Sequence, residues 1–204
     1  MTGLPLPLLP LLALLACGPV PEGRFDGECS DGVDNDGVDG VDCADPGCAE
    51  ACAASACRAE REVCINEFMS DNDTVIADKT GDYSDWIELH NPSEEGRSLD
   101  GFTISDDLEE PGRHALDGLT IPGGGYLLLW ASGDTERGRH HLPFKLSSSG
   151  DAIGLYCDVR SPADELQWSE SQGSDVSTGR VPNCQGAMTP GLTPTPEAGN
   201  SDGQ

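Results

Sequence analysis

Nine of the ten aromatic side chains follow residue 62, and only Phe25 precedes it. A hydrophobic core needs large apolar side chains, so this chain can build one only from about residue 63 onward. What lies before must rely on cross-links or bound ions to hold a shape. The charge is divided differently. With 11 Lys+Arg against 37 Asp+Glu, the formal net charge is −26, of which residues 1–62 carry −9 and residues 63–204 carry −17. Such acidity excludes nucleic acid as the expected partner, because phosphate contacts need a clustered basic face. It equally disfavours an unaided electrostatic hold on anionic lipid. With 26 Gly and 15 Pro, a long-helix or coiled-coil protein is also disfavoured.

From residue 63 the chain reads as short β-rich runs separated by turn signals. The runs are 63–69, 84–91, 101–105, 113–116, 126–131, 152–157 and 165–168. The turns are Asn91-Pro92, Asp100-Gly101, Glu110-Pro111-Gly112, Pro122 to Gly125, and Ser149-Gly150-Asp151. Short strands at near-regular spacing with Gly and Pro punctuation predict an all-β sandwich or barrel. The modest helix candidate is around 49–62.

Six motifs carry a family resemblance: INEFMSDN (65–72), DWIELHNPS (85–93), SLDGFTISDD (98–107), IPGGGYLLLWASG (121–133), FKLSSSGDAIGLY (144–156) and TPGLTPTPEAGN (189–200). In this order they resemble the lamin tail domain in its bacterial form. The resemblance implies an immunoglobulin-like β-sandwich over 63–200 and motif residues that specify the fold, not chemistry. It also implies a setting in exported proteins, alone or beside hydrolases and nucleases.

The N-terminus reads as an address. Residues 4–16, LPLPLLPLLALLA, are thirteen uncharged and mostly apolar residues. That is short of the roughly 20 needed to span a bilayer, and suits a secretory signal. Leu14-Leu15-Ala16-Cys17 resembles the bacterial lipoprotein signal. This implies cleavage after residue 16, lipid on the Cys17 sulfur, and membrane anchoring. Residues 17–25 are the anchor and tether, and 201–204 form a short tail.

Residues 26–62 form an acidic Cys-rich module. Asp31, Asp34, Asp36, Asp39 and Asp42 are closely spaced around Gly, a pattern suited to an oxygen-loving cation, so calcium is the candidate cofactor. The spacing departs from the EF-hand loop. It resembles the DGxDND-type repeats of bacterial surface lipoproteins. Cys29, Cys43, Cys48, Cys52, Cys57 and Cys64 fit disulfides in an oxidising compartment, with pairing left open. Cys157 and Cys184 are expected to pair with each other.

Catalytic signatures are absent: neither HExxH, GxSxG nor a P-loop occurs. Glu67, Asp71, Asp85 and Glu88 flank two motif strands and read as solvated edge acids of a sandwich. His140 and His141 read as surface-loop residues. Asn72-Asp73-Thr74 matches a glycosylation sequon. The expected function is a non-catalytic, exported, lipid-anchored envelope protein at the outer membrane or cell surface. It displays the sandwich to an envelope protein or a polysaccharide. Two alternatives remain: a calcium-dependent structural or adhesive module, and the accessory recognition part of an extracellular hydrolase system.

Overall fold

A computed structural model describes residues 29, 33, 34, 36–38, 45–48, 63–158 and 161–201. The chain divides into two compact units, Met1–Cys52 and Ala53–Gln204. In the first, a disulfide joins Cys29 to Cys48 with Cα atoms 5.4 Å apart. Pro46–Cys48 is a single 3-10 turn. Cys17, Asp31, Asp39, Asp42, Cys43, Cys52, Cys57 and the helix candidate around 49–62 lie outside the described residues.

The second unit is all-β among the described residues. Its strands are β1 (Cys64–Met69), β2 (Asp85–His90), β3 (Arg97–Ser98), β4 (Thr103–Ser105), β5 (His114–Ala115) and β6 (Thr120–Ile121). They continue with β7 (Tyr126–Ala131), β8 (Asp151–Asp158), β9 (Ser161–Trp168), β10 (Ser177–Arg180) and β11 (Met188–Leu192). A five-stranded sheet has the order β11-β10-β1-β2-β7, and a four-stranded sheet has the order β5-β4-β8-β9; β3 and β6 pair separately. All named pairings are antiparallel.

One core lies between the sheets. Ile65, Phe68, Ile87, Leu89 and Leu129 from the larger sheet meet Ile104, Ile153 and Leu155 from the smaller one. Ile65 and Phe68 are three residues apart, which a regular strand would place on opposite faces. A register shift between Ile65 and Glu67 inserts the extra residue that lets both point inward.

The outer face of the larger sheet is covered as well. Met69, Trp86, Leu128 and Trp130 form a second apolar cluster, with Val75 and Ile76 of the β1–β2 loop packed against it. Asn72 organises that loop. Its buried side chain donates to the carbonyls of Ile76 and Ser84, both at 2.8 Å, and accepts from the N–H groups of Val75 and Ile76. Both amide hydrogens of the sequon asparagine are thereby committed to the fold.

Cys184 pairs with Cys64, with Cα atoms 5.6 Å apart, and not with Cys157. The expectation from sequence is corrected here. The bond ties the first residue of β1 to the turn after β10, and β1 and β10 are neighbours in the sheet. Cys157 is itself disulfide-bonded.

Candidate functional site

Two polar constellations stand out on the second unit. The first is built on Glu67 and Glu88, which face each other across β1 and β2 and are both fully buried. They are not solvated edge acids. The segment after β11 lies over them: Thr195 donates its N–H to Glu67 at 3.1 Å and its hydroxyl to Glu67 Oε2 at 3.0 Å. Ser177 also donates its hydroxyl to Glu67. Glu88 accepts from the Glu197 N–H and, at 3.4 Å, from the Asn66 side chain. Asn200 closes the arrangement by donating to the carbonyls of Asn66 and Arg180, at 2.9 and 3.0 Å.

Two carboxylates in one desolvated place cannot both ionise without cost. Burial raises the Glu67 carboxyl, although the Ser177 and Thr195 hydrogen bonds oppose it. Burial also pushes Glu88 up to about 8, against the pull of Glu197 N–H and Asn66 and with the help of Glu67's charge. Glu88 holds the proton near neutrality, and Glu67 has the larger set of donors. Of the other two acids read from sequence, Asp85 accepts a long 3.4 Å bond from Asn72 N–H and is raised by burial. Asp71 accepts a backbone bond from Asp175 through its own carbonyl.

The second constellation is a cleft of about 190 Å³ lined by Asp78, Lys79, Trp130 and Arg137 to His141. Trp130 stands on β7, the edge strand of the larger sheet. Residues 140–142 pair alongside it: Trp130 N–H donates to the His140 carbonyl at 2.7 Å, and Leu142 N–H donates to the Trp130 carbonyl at 2.8 Å. His141 is therefore buried and not a surface residue, at 3% exposure. Its Nδ1 lies 3.1 Å from Ser132 Oγ and its Nε2 lies 3.6 Å from Asp78. His140, beside it in sequence, is exposed.

Asp78 is the pin of the opposite wall. Its carboxylate accepts from Thr80 N–H and hydroxyl, both at 2.7 Å, and from Asp82 N–H at 3.2 Å. Arg137 donates to Asp78 and, at 2.8 Å, to Asp82. Burial pushes Asp78 up, but the Thr80 and Asp82 hydrogen bonds and the Arg137 charge outweigh it and hold the acid at about 2. The two histidines are pulled the other way. Desolvation, then the charges of Arg139 and Lys79, lower His140. Desolvation, then Arg137, lower His141, with Asp78 opposing.

Among the described residues, no group of three or more His, Cys, Asp or Glu side chains is placed to hold a metal ion. Two of the five candidate calcium ligands are described. Asp34 accepts from Gly37 N–H at 2.6 Å, and Asp36 accepts from Val38 N–H at 2.8 Å. Both make local turns.

Sequence reasoning missed the buried cleft histidine and the buried acid pair. The signal for the pair was present in Trp86-Ile87-Glu88-Leu89: a strand covered on both faces buries its alternate residues too, whatever their polarity. A model of the lamin tail domain family matches residues 57–170, more than half of the chain. No curated protein matches it.

Proposed function

This chain belongs to the lamin tail domain family, and from that premise we propose that it is an exported, lipid-anchored protein whose β-sandwich serves as a non-catalytic interaction module. The family is an immunoglobulin-like interaction or structural domain without catalytic function. The observation that carries the non-catalytic reading is what the buried carboxylates of the sandwich do. Glu67 and Glu88 hold the C-terminal segment, and Asp78 holds its own loop and Arg137. Glu67 and Glu88 are covered by that segment, and Asp78, although it lines the cleft, has its carboxylate taken up by Thr80, Asp82 and Arg137. A folded sandwich by itself implies no activity.

The anchor reading rests on the sequence Leu14-Leu15-Ala16-Cys17 and the Gly- and Pro-containing stretch from Gly18 to Gly23 that follows it. Two or more acyl chains would hold the protein at the membrane where one is marginal. Intact-mass analysis of membrane-extracted protein tests this directly. The expected species begins at Cys17 and carries the mass of acyl chains. A mature protein that starts elsewhere, without lipid, would refute the anchor and leave the module.

A further inference from the structure

We infer that the cleft between Trp130 and the Arg137–His141 loop is an oxyanion-binding site, taking a carboxylate or sulfate such as the acid group of a sugar ring. The inference stands whether or not Cys17 carries lipid. It starts from a local reversal of charge. Residues 63–204 hold eight Lys and Arg against twenty-five acids. Three of those eight, Lys79, Arg137 and Arg139, line one small cleft together with both His140 and His141.

Arg137 is neutralised in place by Asp78 and Asp82. Lys79 and Arg139 are not. Among the described residues, neither forms an ion pair with a carboxylate. In a chain with so many acids, two cations lining one cleft with no carboxylate ion-paired to either are unusual. Arg139 is tied to the backbone of a neighbouring turn. Arg139 donates to the Gly118 carbonyl at 3.0 Å and lies over that glycine, where a Cβ would stand 2.6 Å from its Nη1. Lys79 Nζ lies 3.7 Å from where a Cβ on Gly138 would be, and Gly138 has φ of 131°. Glycine at 118 is what lets Arg139 lie so close, whereas a Cβ at 138 would make only ordinary contact with Lys79. Desolvation first, and then the charges of Arg139 and Lys79, lower the affinity of His140 for its proton. For His141 the facing charges are Arg137, Asp78, Lys79 and Asp134.

An anion in the cleft that they line would find both cations uncompensated. The overall acidity does not forbid it. At physiological ionic strength charges more than about 8 Å apart are largely screened, so the nearest cations decide. The cleft volume of about 190 Å³ is below the roughly 300–1,000 Å³ of drug-sized pockets, which limits the ligand to one acid group with at most one ring. Trp130 in the lining gives a ring an aromatic surface to pack against.

The test is NMR on the full chain at 0.15 M salt, following the His140 imidazole and the Trp130 indole. The probes are sulfate, glucuronate and, as a neutral control, glucose. The expected result is saturable shifts with sulfate and glucuronate, with affinity on the order of millimolar and a His140 pKa raised by about half a unit or more. Equal affinity for sulfate and glucuronate assigns the site to a bare acid group. Tighter glucuronate binding that moves Trp130 assigns it to an acidic sugar. Lys79→Gln, an exposed change that disturbs no hydrogen bond among the described residues, should weaken binding about tenfold. Arg139→Gln should do the same. No saturable shift, an equal response to glucose, or unchanged affinity in both variants would overturn the site.

Discussion

Glu88 and Asp78 are both buried acids, and their surroundings push them in opposite directions. Glu88 is raised from its unfolded value of 4.5 to about 8. The folded protein therefore binds more protons than the unfolded one between those values. Glu88's contribution is complete below pH 4.5 and is lost as pH rises through about 8. Asp78 is lowered from 3.8 to about 2, so its contribution is present above 3.8 and is lost as pH falls through about 2. Glu88→Gln removes the proton switch while keeping a polar side chain of the same shape. The variant should flatten the decline in stability between pH 5 and 8 by an amount on the order of 2 kcal/mol. Urea titrations at several pH values check this, and an unchanged slope would mean that Glu88 does not hold the proton. Asn72 makes the second residue-scale case. Asn72→Ala leaves the half-buried carbonyls of Ile76 and Ser84 and two N–H groups without their Asn72 partner. A loss of about 2–3 kcal/mol is expected in the same titrations, and a loss under about half a kcal/mol would show that the loop does not depend on it.

At the scale of elements, β1, β2, β7 and β8 were legible because each reads as a β-rich run flanked by turn residues, whereas β9 was expected over 165–168 only and runs from Ser161 to Trp168. Residues 126–131 form β7 as expected, and 63–69, 84–91 and 152–157 differ from β1, β2 and β8 only at their ends. Strands β3 and β6 are two residues each, too short for any pattern. β10 (STGR) and β11 (MTPGL) carry Gly, Pro and Thr where a core strand would carry branched apolar residues. They hold their place through pairing with β1 and through the Cys64–Cys184 bond, neither of which leaves a local trace in sequence. The acid pair was misread for a related reason. Alternation tells which residues share a face, but not that a distant segment ending at Asn200 returns to cover that face. The disulfide should matter to this arrangement. Replacing Cys64 and Cys184 with Ser should lower stability by roughly 2–5 kcal/mol, read as a fall in denaturant midpoint. Peptide mapping without reduction should recover Cys64 linked to Cys184, and recovery of Cys157 linked to Cys184 would refute the register of β1 against β10.

For the whole molecule, the net charge of −26 and the two buried acids act together on the same property. Self-repulsion among carboxylates grows as they ionise and destabilises a compact state. Glu88 adds to that trend as pH rises, whereas Asp78 opposes it only at the acid end. The two windows meet between 3.8 and 4.5. The stability maximum of this protein is therefore expected near pH 4 to 5, on the acid side of the usual range of about 5–8. Salt separates the two causes. Self-repulsion between surface carboxylates is screened by added salt, but a proton on fully buried Glu88 is screened much less. At pH 8, raising ionic strength from about 0.01 to 0.5 M should raise the melting temperature. The opposing loss, from surface pairs such as Arg137 with the exposed Asp82, is small because exposed pairs contribute about 0–1 kcal/mol each. Glu88→Gln should keep the whole of this salt response while losing much of the pH response. A melting temperature that falls with salt would mean that ion pairs, and not self-repulsion, dominate the surface. A salt response abolished by Glu88→Gln would mean that the buried acid and the surface field are one effect.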